Sequence, residues 1–160
     1  MLSVNLICVG KLKESYLRDA SAEYQKRLGA FCRLEITEVP PYKLPENPSP
    51  AQIDAALNRE GSRIIEKVPA NSTVFALCIE GEMLSSEELS AKISDLSGRG
   101  VSCITLIIGG SHGLSDKVKK CADFKLSMSK MTFPHQLARI MLLEQLYRSF
   151  MIAGGGKYHK

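Results

Sequence analysis

Several common signatures are missing from this sequence of 160 residues. No window approaches the roughly 18 consecutive apolar residues of a membrane-spanning helix, so none is predicted. The opening stretch MLSVNLICVGKLK lacks a basic region and a small-residue cleavage site, which favours a first strand over a signal peptide. The five cysteines include no Cys-x-x-Cys pair, which argues against a zinc site and a disulfide framework. We therefore expect a metal-free protein of the reducing cytoplasm.

Nucleotide-binding fingerprints are also missing. Gly109, Gly110 and Gly113 do not have the G-x-G-x-x-G spacing, and they follow the third apolar run rather than the first. No Gly-Lys-Ser/Thr sequence completes a phosphate-binding loop. A nicotinamide-dependent Rossmann oxidoreductase is therefore disfavoured, although it stays an alternative. The glycines do allow the backbone to approach a flat ligand, but a tight strand-to-helix turn explains them equally well.

Apolar runs alternate with helical patterns along the chain, and the length suits a single domain over residues 1–160. This alternation predicts an α/β fold with a mostly parallel sheet flanked by helices on both faces. Cys8, Cys78 and Cys103 lie in apolar runs and are predicted to be buried. The predicted strands are 3–9, 33–39, 73–79, 101–108 and 123–126. The predicted helices are 15–28, 50–68, 86–97, 115–121 and 134–150.

Charge is distributed unevenly along the chain. Residues 1–116 carry 12 lysines and arginines against 15 acids, a net charge of −3, whereas residues 117–160 carry 9 against 2, a net charge of +7. A basic patch at one end suits a phosphate-backbone partner, although a solvated basic face is equally compatible with it.

Three loops follow predicted strands and could hold a ligand, because open α/β sheets bind ligands beyond the carboxyl ends of their strands. They are Glu80-Gly81, Gly109–Gly113 and Ser127–Phe133. Next to them, Pro134 begins a helix and places His135 and Arg139 one turn apart on one face. The helix N-terminus disfavours an imidazolium, so we predict a lowered pKa for His135 and a proton-relay role near neutral pH. A capping or packing histidine is the alternative.

The last helix has an apolar surface too wide for one partner, because Ile140 and Met141 extend the stripe that begins at Leu142. We expect this helix to form a subunit interface. Glu144 and Arg148 form an i,i+4 pair that would contribute only tenths of a kcal/mol if exposed. After Gly154–Gly156, the tail Lys157–Lys160 could clamp a phosphate and stack a base.

The segments IIGGSHGLS, LSMSKMTFPHQLARIMLLEQLYR and a near-terminal Tyr-His-Lys closely resemble the RlmH family of SPOUT methyltransferases. The resemblance covers essentially the whole chain. A non-catalytic ribosome-binding module stays an alternative, because the basic patch alone would suffice for it. The resemblance implies S-adenosylmethionine as methyl donor and N3 of a pseudouridine, numbered 1915 in the family's name, as acceptor in helix 69 of 23S rRNA within the assembled ribosome. It also implies a homodimer and a deep trefoil knot over about residues 73–160, although general topology rules count against knots.

The resemblance assigns site residues as well. His135, Arg139, Tyr158 and His159 match the family's residues at the target nucleotide. One departure is visible, because Lys157 stands where the family commonly has proline before Tyr-His. Residues implied to bind the cofactor are Leu77, Gly109, Met128, Ser129, Lys130, Met131, Thr132 and Phe133.

The implied reaction is direct displacement without a metal. The N3–H group is a weakly acidic imide, so its proton must be removed or the resulting anion stabilised. The candidate bases are His135, His159 and Tyr158, and the candidate cations are Arg139, Lys157 and Lys160.

Overall fold

The computed structural model describes residues 1–157, in which five strands form one sheet. The strands lie in the order β2-β1-β4-β3-β5, and every neighbouring pair is parallel. The prediction of a mostly parallel sheet is confirmed. The strands are β1 Ser3–Val9, β2 Arg33–Val39, β3 Thr73–Met83, β4 Cys103–Ile108 and β5 Phe124–Ser127.

Helices cover both faces of this sheet, as the alternating pattern predicted. One apolar core joins α1, α3 and α5 to one face, with Leu28, Leu89 and Leu143 among its buried members. A second core joins α2 and α4 to the other face through Ile64 and Val118. The helices are α1 Ser15–Leu28, α2 Pro50–Lys67, α3 Ser86–Gly98, α4 Asp116–Cys121 and α5 His135–Ala153.

Local capping explains where two of these helices begin. The hydroxyl of Ser49 accepts from the backbone of Gln52, whose side chain accepts in return from the backbone of Ser49. Ser85 and Glu88 form the same reciprocal pair at α3. Each capping box satisfies backbone N–H groups that have no partner inside the helix.

Strand β3 differs from its predicted form. We expected it to end at Ile79, but it continues to Met83 and pairs a second time with β5 after a shift in register. Glu80 and Gly81 therefore lie within the strand and not in a loop after it. Gly81 is required there because an added Cβ would lie 2.7 Å from the backbone of Leu126. This glycine permits close backbone approach and does not mark a turn.

The predicted burial of the cysteines is correct only in part. Cys8 is buried, whereas Cys78 and Cys103 are half-buried. Cys103 is the first residue of β4, and Cys78 lies where the pairing of β3 with β5 becomes irregular. Asn5 donates a hydrogen bond to the sulfur of Cys103 at 3.2 Å. Cys32, which the apolar runs did not single out, is buried in the core that contains α1 and α5.

Helix α5 ends three residues later than predicted and is enclosed over most of its circumference. Every residue from Ala138 to Ile152 is buried or half-buried. Glu144 and Arg148 bond to each other at 2.7 Å in a half-buried setting, so this ion pair is not an exposed one. None of the helices within residues 1–157 is long and apolar enough to cross a membrane.

Candidate active site

A cavity of about 880 Å³ opens at the carboxyl ends of β4 and β5 and beside residues 77–80 of β3, at the edge where the parallel sheet was expected to bind a ligand. Its volume lies in the range of small-molecule sites. All three predicted segments contribute to its wall, and the first turn of α5 closes one side. Its lining includes Leu77, Glu80, Ile108, Gly109, His112, Lys119, Met128, Ser129, Met131, Thr132, Phe133, Pro134 and His135.

The glycine loop after β4 forms a narrow wall of the cavity. Gly109 is buried, and an added Cβ would overlap the carbonyl group of Gly113. Gly113 has a φ of +81° and donates its backbone N–H to the carbonyl of Gly110 at 3.0 Å. The two explanations for these glycines, a tight turn and a close approach to a ligand, are therefore compatible, because the turn places its backbone in the cavity wall.

The loop after β5 is folded by its own serines. The hydroxyl of Ser127 donates to the carbonyl of Ser129 at 3.1 Å, and the hydroxyl of Ser129 accepts from the backbone of Met131 at 3.0 Å. Seven of the eight residues implied to bind a cofactor line the cavity. The exception is Lys130, whose side chain is exposed and is not part of the wall.

His135 lies half-buried in the cavity wall at the start of α5. Its pKa is lowered mainly by burial, with further lowering from the charges of Arg139 and Lys13. The predicted direction of the pKa shift is confirmed. Desolvation is the largest cause of the lowering, ahead of the two charges, whereas the cause we predicted was the helix dipole.

Arg139 lies one turn further on and is 3 % exposed. Its guanidinium donates to the carboxylate of Glu38 and to the carbonyl of Gly10, each at 2.9 Å. These contacts attach α5 to the ends of β2 and β1. The role of Arg139 at a target nucleotide stays a prediction, and any direct contact would compete with two strong hydrogen bonds.

Sequence reasoning missed both partners of Arg139. A cation on a mostly apolar helix must find an acceptor when it is buried, so the need for a partner was detectable. Nothing in the pattern distinguishes Glu38 from the other acids, because the pairing spans 101 positions in the sequence. Gly10 contributes only its backbone, which leaves no mark on the side-chain pattern.

A second ion pair, which was also missed, lies on the wall opposite α5. Lys119 of α4 bonds to Glu80 of β3. The hydrogen bond from Lys119 lowers the pKa of Glu80, and the same bond raises the pKa of Lys119. Both groups are therefore charged at neutral pH, and the cavity has one ionised pair at its rim.

Tyr158, His159 and Lys160 lie outside the described residues, so their predicted roles stay predictions. Lys157 is the last described residue and is exposed. Within residues 1–157, no group of three or more His, Cys, Asp or Glu side chains is arranged to hold a metal ion.

Comparison with known proteins agrees with the α/β fold described above. A family model described as "Predicted SPOUT methyltransferase" matches residues 2–159. Two proteins named ribosomal RNA large subunit methyltransferase H match over 159 residues, 99% of this chain and 100% of each relative. The protein from Bifidobacterium adolescentis is 53% identical and that from Ligilactobacillus salivarius is 50% identical. The structure of a probable methylase family protein from Haemophilus influenzae is 14% identical, with a TM-score of 0.58 over 100% of this chain and 72% of its own.

The solved structure supports the fold alone, because its sequence identity is low. The family match spans nearly the whole chain, and the two relatives are similar over their full lengths. Together with the family match, the fold and the cavity place the chain among the α/β methyltransferases. The chain belongs to the SPOUT methyltransferase family and, within it, to the RlmH family.

Proposed function

We propose that this protein methylates N3 of the pseudouridine numbered 1915, in helix 69 of 23S rRNA, using S-adenosylmethionine and acting on the assembled ribosome in the cytoplasm. The coarser part of this proposal, methylation of large-subunit rRNA, is supported by the names of relatives that match the full chain. The observation that carries it is the position of His135, a neutral side chain in the wall of the cavity.

The residues of the cavity fit S-adenosylmethionine. Leu77, Ile108 and Phe133 supply apolar surface for a flat base, and Gly109 lines the cavity where its missing Cβ lets the chain pass close to Gly113. The loop around Ser129, which is held by hydrogen bonds of its own serine hydroxyls, adds hydroxyl and backbone groups suited to binding ribose and carboxylate. When bound, S-adenosylmethionine supplies an electrophilic methyl group.

The protein's own contribution is to hold the acceptor in line and to manage one proton. His135 is largely neutral at pH 7, so its free ring nitrogen can accept the N3 proton of the target. Arg139 fixes the first turn of α5 through Glu38 and Gly10, and in this way holds His135 against the cavity. Tyr158 and His159 remain alternative bases, and Lys157 and Lys160 are suited to stabilising the anion.

The proposal includes a homodimer and a knot over about residues 73–160 of a single domain. The dimer is supported by the apolar surface of α5 that one chain leaves half-buried at Ile140 and Met141, of which Met141 lines a smaller cavity of about 390 Å³. The knot is supported by family membership.

Methyl transfer from labelled S-adenosylmethionine to intact ribosomes tests the proposal. Ribosomes from a strain that lacks the modification should accept one methyl group each, and ribosomes that lack the pseudouridine should accept none. Binding to ribosomes without transfer would favour the non-catalytic module. Thermal stabilisation by NADH, but not by S-adenosylmethionine, would favour the oxidoreductase, because only a true ligand stabilises by mass action.

A further inference from the structure

The loop between β1 and α1 carries two lysines on a backbone that is held in place. Leu12 is buried, whereas Lys11 and Lys13 on either side of it are exposed. The guanidinium of Arg18 donates to the carbonyl of Leu12 at 3.2 Å and to that of Lys13 at 2.7 Å. Because these bonds hold the backbone of the loop in place, both ammonium groups extend into solvent from a fixed position. Little conformational entropy of the backbone is therefore lost when they bind a partner.

The same loop is attached directly to the start of α5. The backbone of Lys13 donates to the side chain of Gln136 at 2.9 Å, and the carbonyl of Gly10 accepts from Arg139. A Cβ added at Gly10 would lie 3.9 Å from Nε2 of His135, and the charge of Lys13 contributes to the lowered pKa of this histidine. The two lysines are therefore at the edge of the cavity on the side of His135.

Lys11 and Lys13 are available to an anionic partner. Neither lysine forms an ion pair with any residue in the described part of the chain, and the nearby Glu38 is already bonded to Arg139. Glu14 adjoins the loop in sequence, and it is exposed. On the first turn of α1, Tyr16 is 67% exposed, and no ring or cation within residues 1–157 packs on it.

We propose that this loop is a guide for the RNA strand that carries the target nucleotide. Lys11 and Lys13 contact phosphates of that strand, and Tyr16 stacks on a neighbouring base. Paired ammonium groups with an adjacent exposed aromatic ring suit single-stranded RNA, whose bases are free to stack. The inference rests on the proposed function and adds the surface by which substrate reaches the site.

The test compares Lys11→Ala/Lys13→Ala with Lys26→Ala/Lys67→Ala, which removes the same charge. Lys26 and Lys67 are exposed in the last turns of α1 and α2, towards the amino ends of the strands and away from the cavity. Binding to unmodified ribosomes is measured between low and moderate salt, with methyl transfer and S-adenosylmethionine affinity measured alongside. Oligomeric state is determined by light scattering.

We expect the loop variant to bind ribosomes about 25-fold more weakly at 0.1 M salt, with a salt slope smaller by roughly 0.7 for each phosphate that is no longer neutralised. Its affinity for S-adenosylmethionine should not change, and the control variant should match the parent. Tyr16→Ala should weaken ribosome binding about 5- to 150-fold without changing the slope, and Tyr16→Phe should restore it.

Unchanged ribosome binding and salt slope in the loop variant would overturn the inference, even if the parent protein methylates ribosomes normally. Loss of the dimer in that variant would also overturn it, since the loop would then be a subunit contact. Absence of methyl transfer by the parent is a separate result, which refutes the proposed function; the salt dependence of ribosome binding then still decides whether the loop contacts RNA.

Discussion

The guanidinium of Arg139 bonds to the carboxylate of Glu38 at 2.9 Å, and this contact joins the last helix to the end of the second strand. The arginine is almost fully buried, while the side chain of Glu38 is 36% exposed. The neighbouring carbonyl of Gly10 accepts a second hydrogen bond from the same group. The position of α5, and with it that of His135, depends on this junction.

Arg139→Ala should lower the free energy of unfolding by about 2 kcal/mol, because it removes two charge-assisted hydrogen bonds. Glu38→Gln should lower it by less, because an amide oxygen can still accept and the site is partly solvated. Urea denaturation measures both. Arg99→Ala is a suitable control, because Arg99 and Asp95 form an exposed pair that should contribute less than about 1 kcal/mol. Equal losses at Arg139 and Arg99 would contradict the structural role of the junction.

Gly109→Ala should reduce S-adenosylmethionine affinity and stability together, because its Cβ would overlap the backbone at Gly113 and the turn would have to move. Gly98→Ala is the matched control. Gly98 ends α3, and an added Cβ there has no atom within 4 Å. That substitution should leave affinity unchanged and raise stability by about 0.5 kcal/mol. Calorimetric titration and thermal unfolding distinguish the two, and a silent Gly109→Ala would contradict the close approach of Gly109 to the backbone of Gly113.

The lowered pKa of His135 predicts the pH dependence of methyl transfer. Its native pKa lies below the ordinary value of 6.5, so the native state binds fewer protons than the unfolded state between the two values. Its contribution to stability is fully present above pH 6.5 and is lost as pH falls towards the native pKa. Activity should fall over the same window as the base becomes protonated.

The fall in rate at low pH is the acidic limb of the pH profile. Lys13→Gln should move this limb to higher pH, because it removes one charge that disfavours the imidazolium of His135. His135→Gln should reduce the rate by about 10²- to 10⁴-fold and abolish the limb. The rate is measured with saturating S-adenosylmethionine from about pH 5 to 8, the range in which histidine titrates. A full-rate His135→Gln variant, or a limb centred above pH 6.5, would exclude His135 as the base.

Removal of the last three residues tests the tail. We expect the variant that ends at Lys157 to retain S-adenosylmethionine affinity, because the cavity is lined by residues 77–138. Methyl transfer should be lost if Tyr158 and His159 act at the target. Single Tyr158→Phe and His159→Gln variants then separate the two side chains. Full activity in the truncated protein would remove the tail from the mechanism.

Sequence alone predicted the elements with strong local signals. The bounds of β1, α1 and β2 are correct to the residue, because apolar periodicity and short turns determine them. The end of β3 was wrong because Glu80-Gly81 has the composition of a turn, whereas Gly81 serves close packing on β5. That function depends on a strand more than 40 positions away, which no local pattern encodes.

For the candidate site, the sequence predicted where the cavity lies but not the ion pairs around it. The loops after β4 and β5 were predicted correctly, because the ends of parallel strands meet at one edge of the sheet. The third predicted loop, Glu80-Gly81, lies within β3 instead, although Glu80 still lines the cavity. Lys130 is implied by resemblance to bind the cofactor, and this stays a prediction, although its exposed side chain does not line the cavity. Glu38, Gly10 and the pair Glu80–Lys119 were missed, since each depends on a tertiary contact between segments with no shared motif.

The strand order has a consequence for how the protein forms during synthesis. Strand β1 is made first, yet one of its two edges remains unpaired until β4 is available, because Ser3 lies opposite Cys103. Long-range pairing of this kind slows folding, since the chain must close a large loop before it gains the contact. The cavity also needs His135 from α5, so a nascent chain gains a complete ligand site only after nearly all of it has been translated.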